Sequence, residues 1–230
     1  MTDHEAHAPI EVTVVAARLE EIRRRIDAVE RRWTHDVEVM LVTKGFGPEA
    51  VEVAGGLGVA SIGENYAQEL RSKAGALEAL ARRGRRPAVA FIGRLQSNKV
   101  RLVADVVDVW ASVDRRSLAT EVAKRAPGAA ILVQVNSTGE QHKGGCAPDD
   151  VAALVDAARD EGLVVRGLMT VGPTGRPAAE ARPGFEMVRR LVDELSLTVC
   201  SMGMSADLEV AVAAGSTQVR LGTALLGPRP

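Results

Sequence analysis

The sequence predicts an α/β protein, a (β/α)8 or TIM barrel with one extra helix at its N-terminus. Three observations support this fold class: β-rich runs alternate with helical patterns, eight such runs occur, and most of them are continuously apolar. Strict alternation of β and α elements indicates a parallel sheet, and near-continuous apolar strands are typical of strands covered on both faces. The chain length of 230 residues is close to the ~250 residues of a typical barrel.

The extra helix is predicted over residues 9–33, because apolar side chains recur there alternately four and three positions apart. Charged residues fill the intervening positions, which is the pattern of a helix with one buried face. The apolar positions are Val15, Leu19, Ile22, Ile26, Val29 and Trp33. Residues 1–9 are predicted to form a disordered tail and residues 10–230 a single domain.

The repeating part of the chain follows, and each strand run is succeeded by a helical pattern that starts or ends at Pro, Ser, Asn or Gly. Strands are predicted at residues 37–43, 59–63, 88–93, 106–113, 129–136, 164–171, 197–203 and 218–224. Helices are predicted at residues 48–54, 65–82, 98–104, 115–125, 148–160, 183–195 and 205–214. Residues 172–183, rich in Gly, Pro and Ala, are predicted to be a loop over one end of the barrel. The alternative fold is an open doubly wound sheet, but no GxGxxG motif follows the first strand.

Composition argues against several classes of function. The net charge is -1, which gives no electrostatic reason to expect a nucleic-acid or membrane partner. No apolar stretch is long enough to cross a bilayer. Two cysteines, Cys146 and Cys200, are too few for a disulfide framework and suit a reducing cytosol, so a cytoplasmic location is predicted. Four scattered histidines form no recognisable metal motif.

Polar residues follow the strands, at the barrel end where active sites are built. Lys44 directly follows the first strand, and a lysine is rarely buried without a partner. Ser205 precedes a predicted helix, and Gly222 and Thr223 belong to the last strand run, where barrels often bind phosphate. A lysine near a phosphate site suggests a phosphorylated aldehyde held as an imine. The alternatives are a solvated Lys44, a plain N-cap at Ser205 and a simple turn at Gly222, with Asp207 in the helix's first turn opposing an anion.

Seven segments, in this order and spacing, resemble the pyridoxal phosphate homeostasis protein family, whose members are single-domain relatives of the alanine racemase N-terminal barrel. The resemblance covers roughly residues 10–229. Two departures are Ala90, where the family usually has histidine, and the turn Gly45-Phe46-Gly47 after the lysine. The segments are VTKGFGP, IGENYAQEL, FIGRLQSNKVRLV, SVDRRSLATEVAK, VQVNSTGEQHKGG, RGLMTV and SMGMSADLEVAVAAGSTQVRLGTALLGPR.

The resemblance implies pyridoxal 5'-phosphate (PLP) as cofactor, held by Lys44 as an aldimine. It places the phosphate on Ser205, Gly222 and Thr223, and Arg220 against the pyridine nitrogen. An arginine donates hydrogen bonds but does not take up a proton, so the ring would be a weak electron sink. Alternative roles for Arg220 are an ion pair with a rim carboxylate, Glu64 or Asp114. Asn65 and Met169 are implied ring contacts, with a turn cap and core packing as their respective alternatives.

The predicted function is therefore to bind PLP and take part in its intracellular homeostasis, without general amino-acid turnover and without catalytic residues. The alternative is a PLP-dependent amino-acid racemase, which needs a second base that the resemblance does not give to Tyr66, the only tyrosine. A sugar-phosphate aldolase with a lysine Schiff base does not fit the motif set. The predicted partners are PLP-dependent apo-enzymes, and the predicted state is a monomer. Six loop residues are given no catalytic role: Gln96, Asn98, Lys99, Asn136, Glu140 and Lys143.

Overall fold

A computed structural model describes residues 10–229, so the predicted tail at residues 1–9 lies outside the described residues. The strands form one closed, all-parallel barrel in chain order, which confirms the predicted (β/α)8 fold. The barrel closes because β1 pairs with both β2 and β8, with Leu41 opposite Ile62 on one side and Leu221 on the other. The strands are β1 (Glu38–Val42), β2 (Ser61–Glu64), β3 (Ala88–Phe91), β4 (Val109–Val113), β5 (Ala130–Gln134), β6 (Val164–Met169), β7 (Val199–Ser201) and β8 (Gln218–Leu221).

Helices cover the outside of this barrel, and the strands are buried between them and the barrel interior. The α-helices are α1 (Val12–Asp27), α2 (Pro48–Gly56), α3 (Ala67–Arg82), α4 (Arg116–Arg125), α5 (Val151–Asp160), α6 (Arg182–Glu194), α7 (Leu208–Ala213) and α8 (Thr223–Leu226). Short 3-10 helices occur at Ser97–Leu102, Pro148–Asp150 and Ala178–Ala181. The predicted helix at 98–104 is thus a 3-10 helix, and the predicted loop at 172–183 contains another one.

The N-terminal helix α1 is shorter than the predicted span of residues 9–33. Its buried face consists of Val15, Leu19, Ile22 and Ile26, as the spacing predicts, but the helix ends at Asp27. Beyond the helix, Trp33 packs on the turn before β8, where an added Cβ at Gly215 would lie 2.8 Å from the Trp33 ring. Helix α1 packs against α7 and α8, next to the point where the barrel closes.

Two boundaries near the C-terminus differ from the prediction, and both bear on the site. Helix α7 begins at Leu208 rather than at residue 205, because the Asp207 carboxylate accepts a hydrogen bond from the Met204 amide (2.6 Å) and closes a turn first. Ser205 is therefore not the N-cap. Strand β8 ends at Leu221, because Gly222 leaves the extended conformation and its carbonyl accepts the amides of Leu225 and Leu226.

The barrel interior is filled by a small apolar cluster that includes Ala111, Leu132 and Met169. Ala90 also points inward and lines a cavity of about 130 Å³ near the amino ends of the strands. Among residues 10–229, no helix combines the length and apolar character that crossing a bilayer requires. In the same residues, no group of three or more His, Cys, Asp or Glu side chains could hold a metal ion.

Candidate functional site

Lys44 lies immediately after β1, in a tight turn at the carboxyl end of the barrel. The Phe46 amide donates to the Thr43 carbonyl (3.1 Å), which closes the turn around the lysine. Gly45 has a positive φ of 76°, which suits glycine, and its amide donates to Glu69 Oε2 at 2.8 Å. The Gly45-Phe46-Gly47 departure from the family pattern thus forms an ordered turn that presents Lys44 on the rim.

A fully buried ion pair lies behind this turn. Lys73 Nζ is 2.5 Å from Glu64 Oε1 and donates to the Thr43 carbonyl at 2.8 Å. The Thr43 hydroxyl donates to the same carboxylate. Glu64 Oε2 is buried and has no hydrogen-bond partner within the part of the chain that the structure describes. Because Lys73 binds the Thr43 carbonyl and Glu64 binds the Thr43 hydroxyl, the pair fixes the backbone from which Lys44 projects.

The environment of Lys44 favours its neutral, nucleophilic form. Partial burial is the main cause that lowers its pKa, and the positive charges of Arg229 and Arg220 lower it further. The carboxylates of Glu69 and Glu64 oppose this shift. A lysine with a depressed pKa carries a larger fraction of free amine at neutral pH, which is the form that attacks a carbonyl carbon.

Lys44 opens into a cavity at the mouth of the barrel that is also lined by Arg220 and Arg229. Arg220 is 5% exposed, and its Nη1 donates to the carbonyl and hydroxyl of Ser201 (2.8 and 2.9 Å). Its Nη2 donates to the Thr170 carbonyl at 2.6 Å. Burial lowers the pKa of Arg220 to about 10, so the guanidinium stays charged at neutral pH.

The alternative roles of Arg220 as a partner of Glu64 or Asp114 are wrong, because each carboxylate has another cation. Glu64 is paired with Lys73, and Asp114 with Arg115 at 2.6 Å. Arg220 is anchored instead by neutral groups at the ends of β6 and β7. Among residues 10–229 Arg220 forms no direct ion pair, although the charge of Asp207 acts on it, and it lines the cavity that Lys44 enters.

Hydrogen-bond donors also line this cavity. Ser205 lies in the turn before α7, while Gly222 and Thr223 form the start of α8, and all three line the cavity. The amides in the first turn of a helix have no partner within that helix. An added Cβ at Gly222 would lie 3.1 Å from the Val42 carbonyl, so a side chain there would crowd β1. These groups together can bind an anion.

The structure thus brings together five of the predicted site residues: Lys44, Ser205, Arg220, Gly222 and Thr223. Asn65 lines a neighbouring cavity instead, and its Oδ1 atom is buried without a hydrogen-bond partner among residues 10–229. Met169 is 1% exposed and packs inside the barrel with Ala111 and Leu132. Neither side chain lines the Lys44 cavity, so their predicted contacts with the ring stay predictions.

Sequence reasoning missed Arg229, Phe46, Met204 and the Lys73–Glu64 pair. Arg229 reaches back to the Lys44 turn, where an added Cβ at Gly45 would lie 2.8 Å from Arg229 Cδ. No local sequence pattern indicates this contact, since it joins the loop after the first strand to the residues that follow the last strand. Lys73 did leave a signal: it occupies a position on the buried face of α3, between Leu70 and Leu77. A lysine there requires a buried partner.

Two of the loop residues without a catalytic role, Glu140 and Lys143, connect neighbouring loops of the rim. Lys143 Nζ lies 2.9 Å from Glu140 Oε1 and donates to the Gly172 carbonyl at 2.5 Å. The Thr174 amide donates to the same carboxylate.

Both cysteines are free thiols, and burial raises the pKa of Cys146 to about 11 and of Cys200 to about 12. They are poor nucleophiles and take no part in the site.

Comparison with known proteins gives consistent results. Residues 17–230 match the family described as alanine racemase, N-terminal domain. The pyridoxal phosphate homeostasis protein of Pseudomonas aeruginosa is 39% identical over 201 residues, which are 84% of this chain and 85% of that protein. The protein of the same name from Aquifex aeolicus is 37% identical over 226 residues, 92% of this chain and 97% of its own.

A solved structure with a ligand is also similar. The structure of PipY from Synechococcus elongatus, described as having PLP bound, matches with a TM-score of 0.78 and 31% sequence identity. The match covers 93% of this chain and 100% of PipY.

Proposed function

We propose, from the premise that this chain belongs to the pyridoxal phosphate homeostasis protein family, that it binds PLP at Lys44 and holds it reversibly within the cellular pool of the cofactor. PLP carries an aldehyde, a phosphate and an aromatic ring nitrogen, and its aldehyde condenses with primary amines. The observation that carries the proposal is the single cavity lined by Lys44 and Arg220 together with Ser205, Gly222 and Thr223.

The donor set fits this cofactor at three points. The amine of Lys44, whose pKa is lowered by burial and by Arg229 and Arg220, is suited to the aldehyde. The hydroxyls of Ser205 and Thr223 and the first-turn amides of α8 are suited to the phosphate. The anchored guanidinium of Arg220 is suited to an acceptor atom such as the ring nitrogen, because arginine offers only donors. In this proposal Gly222 contributes its backbone to the phosphate site, because a side chain there would crowd Val42.

Borohydride reduction tests the covalent part of the proposal. We expect the protein incubated with PLP to show a visible absorption band, and reduction to attach the label to the Lys44 peptide, as measured by mass spectrometry. The Lys44→Ala variant should lose the band. Lys99 and Lys143 lie on the same rim and serve as internal controls. A label found mainly on either of them would contradict the assignment.

We further propose that the protein does not turn over amino acids. Racemisation needs a base on each face of the Cα carbon, and among the described side chains that line the cavity Lys44 is the only amine, while the others that ionise are arginines. Tyr66 lines the neighbouring cavity. Deuterium exchange at Cα of D- or L-alanine, followed by NMR, should stay at the background rate. Steady exchange that disappears in Lys44→Ala would support the racemase alternative instead.

We also propose that PLP-dependent apo-enzymes receive the cofactor from this protein, and that the protein acts as a monomer in the cytoplasm. Support for a monomer comes from the exposed large apolar side chains, which are few and belong to several elements. They are Val12, Val14, Tyr66, Leu102, Val164 and Met204. Stable homodimers bury larger apolar surfaces. Light scattering should give the mass of one 24.3 kDa chain, and twice that mass would contradict the monomer.

A further inference from the structure

A second, larger cavity opens on the same face of the barrel, between the loops that follow β2, β3 and β4. Its volume is about 540 Å³, which lies within the range of about 300–1,000 Å³ typical of small-molecule sites. It shares none of its lining residues with the Lys44 cavity. The side chains that decide its chemistry are Tyr66, Arg94, Lys99, Asp114 and Arg115.

The charge of this cavity is positive. Asp114 is neutralised by Arg115, whose Nη1 lies 2.6 Å from the carboxylate. Within residues 10–229, neither Arg94 nor Lys99 forms an ion pair or a side-chain hydrogen bond. The chain as a whole carries a net charge of -1, so the positive charge of these two cations is a local feature. Such a pair of cations selects an oxyanion, with the planar guanidinium of Arg94 suited to phosphate or carboxylate.

The walls also present an aromatic ring. Tyr66 is the only tyrosine in the sequence, and it is 56% exposed. A large ring left exposed beside a cavity offers a flat surface on which a planar ligand stacks, and such stacking contributes about 1–3 kcal/mol per ring. The combination of a stacking surface with two free cations fits a ligand that is both aromatic and anionic.

The backbone holds these groups in place before any ligand binds. An added Cβ at Gly93 would lie 2.1 Å from the Asn65 carbonyl oxygen, so the loops after β2 and β3 are in direct contact there. Arg115, at the end of the loop after β4, donates from Nη2 to the Leu95 carbonyl at 3.0 Å. The loop that carries Arg94 is thus fixed from both sides, and a preorganised site loses less entropy on binding.

We infer that this cavity binds an aromatic phosphomonoester non-covalently, with the phosphate between Arg94 and Lys99 and the ring against Tyr66. The chemistry is shared by nucleoside monophosphates and by pyridine phosphates such as pyridoxine 5'-phosphate. The inference goes beyond the proposed function and does not rest on Lys44, because the ligand needs no aldehyde.

The test uses ligands that cannot react with a lysine: AMP, pyridoxine 5'-phosphate and inorganic phosphate. Each is titrated into the full-length protein by calorimetry, and the site is located by amide chemical shifts in NMR spectra. We expect shifts at residues 94–99 and saturable binding of at least one aromatic ester, about tenfold or more tighter than phosphate, which is the effect of ~1.4 kcal/mol of stacking. The tighter of the two esters identifies the source of the ligand.

Variants separate this site from the Lys44 cavity. The double variant Arg94→Gln/Lys99→Gln should bind the ester at least about tenfold more weakly, as expected when charge-assisted contacts are lost. Arg101→Gln is the matched control, because Arg101 is exposed on the same 3-10 helix but lines a different surface. Tyr66→Leu should remove the preference for aromatic esters over phosphate.

Three outcomes would overturn the inference. They are the absence of binding by both esters, unchanged affinity in the double variant, and shifts confined to the region of Ser205 and Thr223. The last outcome would place the ligand in the Lys44 cavity. Failure of the proposed function has a different signature, which is the absence of a borohydride-fixed label on Lys44, so the two failures are distinguishable.

Discussion

Removing the Lys73 ammonium should destabilise the fold strongly, because it leaves Glu64 as a lone buried carboxylate. The Lys73 and Glu64 side chains are 1% and 0% exposed, and their charged atoms lie 2.5 Å apart. Breaking a buried ion pair from one side costs about 3–5 kcal/mol. We therefore expect Lys73→Met, which keeps most of the side-chain volume, to lose about that much stability at pH 7 in urea unfolding experiments.

The chain supplies a matched control on the same helix. Arg71 and Asp105 also form an ion pair at 2.6 Å, but their side chains are 54% and 63% exposed. Exposed pairs contribute about 0–1 kcal/mol, so Arg71→Met should change the stability by no more than that. The double variant Lys73→Met/Glu64→Gln should recover most of the loss, since a buried pair replaced by neutral groups often costs little.

The dependence on pH gives a second check. Burial raises the pKa of Glu64, and Lys73 opposes this shift. A carboxyl with a raised folded-state pKa contributes stability that is fully present below its unfolded pKa and is lost as the pH rises through the folded pKa. Without Lys73 the shift grows, so the deficit of Lys73→Met should shrink on acidification from pH 7 towards the unfolded pKa. A single-variant loss below about 1 kcal/mol, or a deficit that grows on acidification, would refute this reasoning.

Three further predictions concern the site and the barrel. Ser205→Ala should weaken PLP binding by about 1–2 kcal/mol, as expected for a lost hydrogen bond to a charged group. Titration of the visible absorption band measures the affinity. An equal loss of affinity for pyridoxal, which lacks the phosphate, would show that Ser205 does not bind the phosphate. Ala90→Val should raise the free energy of unfolding by about 0.5–2 kcal/mol by filling the inner cavity, and a destabilised variant would show that the cavity cannot admit the side chain. The contacts of Glu140 with Lys143 and the Thr174 amide lower the pKa of Glu140 from 4.5 to about 2. They should be fully formed above the pKa of Glu140 in the unfolded chain and should break as the pH falls through its folded-state pKa. Hydrogen exchange of the Thr174 amide measures this, and Glu140→Gln should abolish the pH dependence.

The barrel was predictable because its signals are local and repeated. Each strand is an apolar run of a few residues, and alternation with helices leaves few ways to arrange parallel strands. The same regularity places Lys44, Arg220 and Gly222 on one rim, since all parallel strands end on the same face. These residues could be grouped without knowledge of any contact, because the topology alone brings their backbones together.

The parts that could not be predicted depend on side-chain direction and on short turns. Ser205 could be placed near the rim, but the Asp207 carboxylate closes a turn that shifts the helix start by three residues, from 205 to 208. Asn65 follows β2 and Met169 ends β6, yet Asn65 lines the adjacent cavity and Met169 points into the barrel. Register decides the direction of each side chain, and a shift of one position reverses it.

The features that suit this site for holding PLP are the same ones that leave amino-acid chemistry unsupported. Lys44 has a lowered pKa because burial and two arginines disfavour its charge, so a larger fraction of free amine is available for reversible capture than an exposed lysine would offer. Arg220, held by Ser201 and Thr170, keeps its proton, since its pKa is lowered only to about 10. A guanidinium in the proposed position beside the ring nitrogen donates a hydrogen bond but no proton, and the ring then withdraws electrons weakly. With Lys44 as the only amine among the described cavity residues, a proton removed from one face of a substrate has no second base to return it on the other. The geometry therefore favours capture and release over turnover.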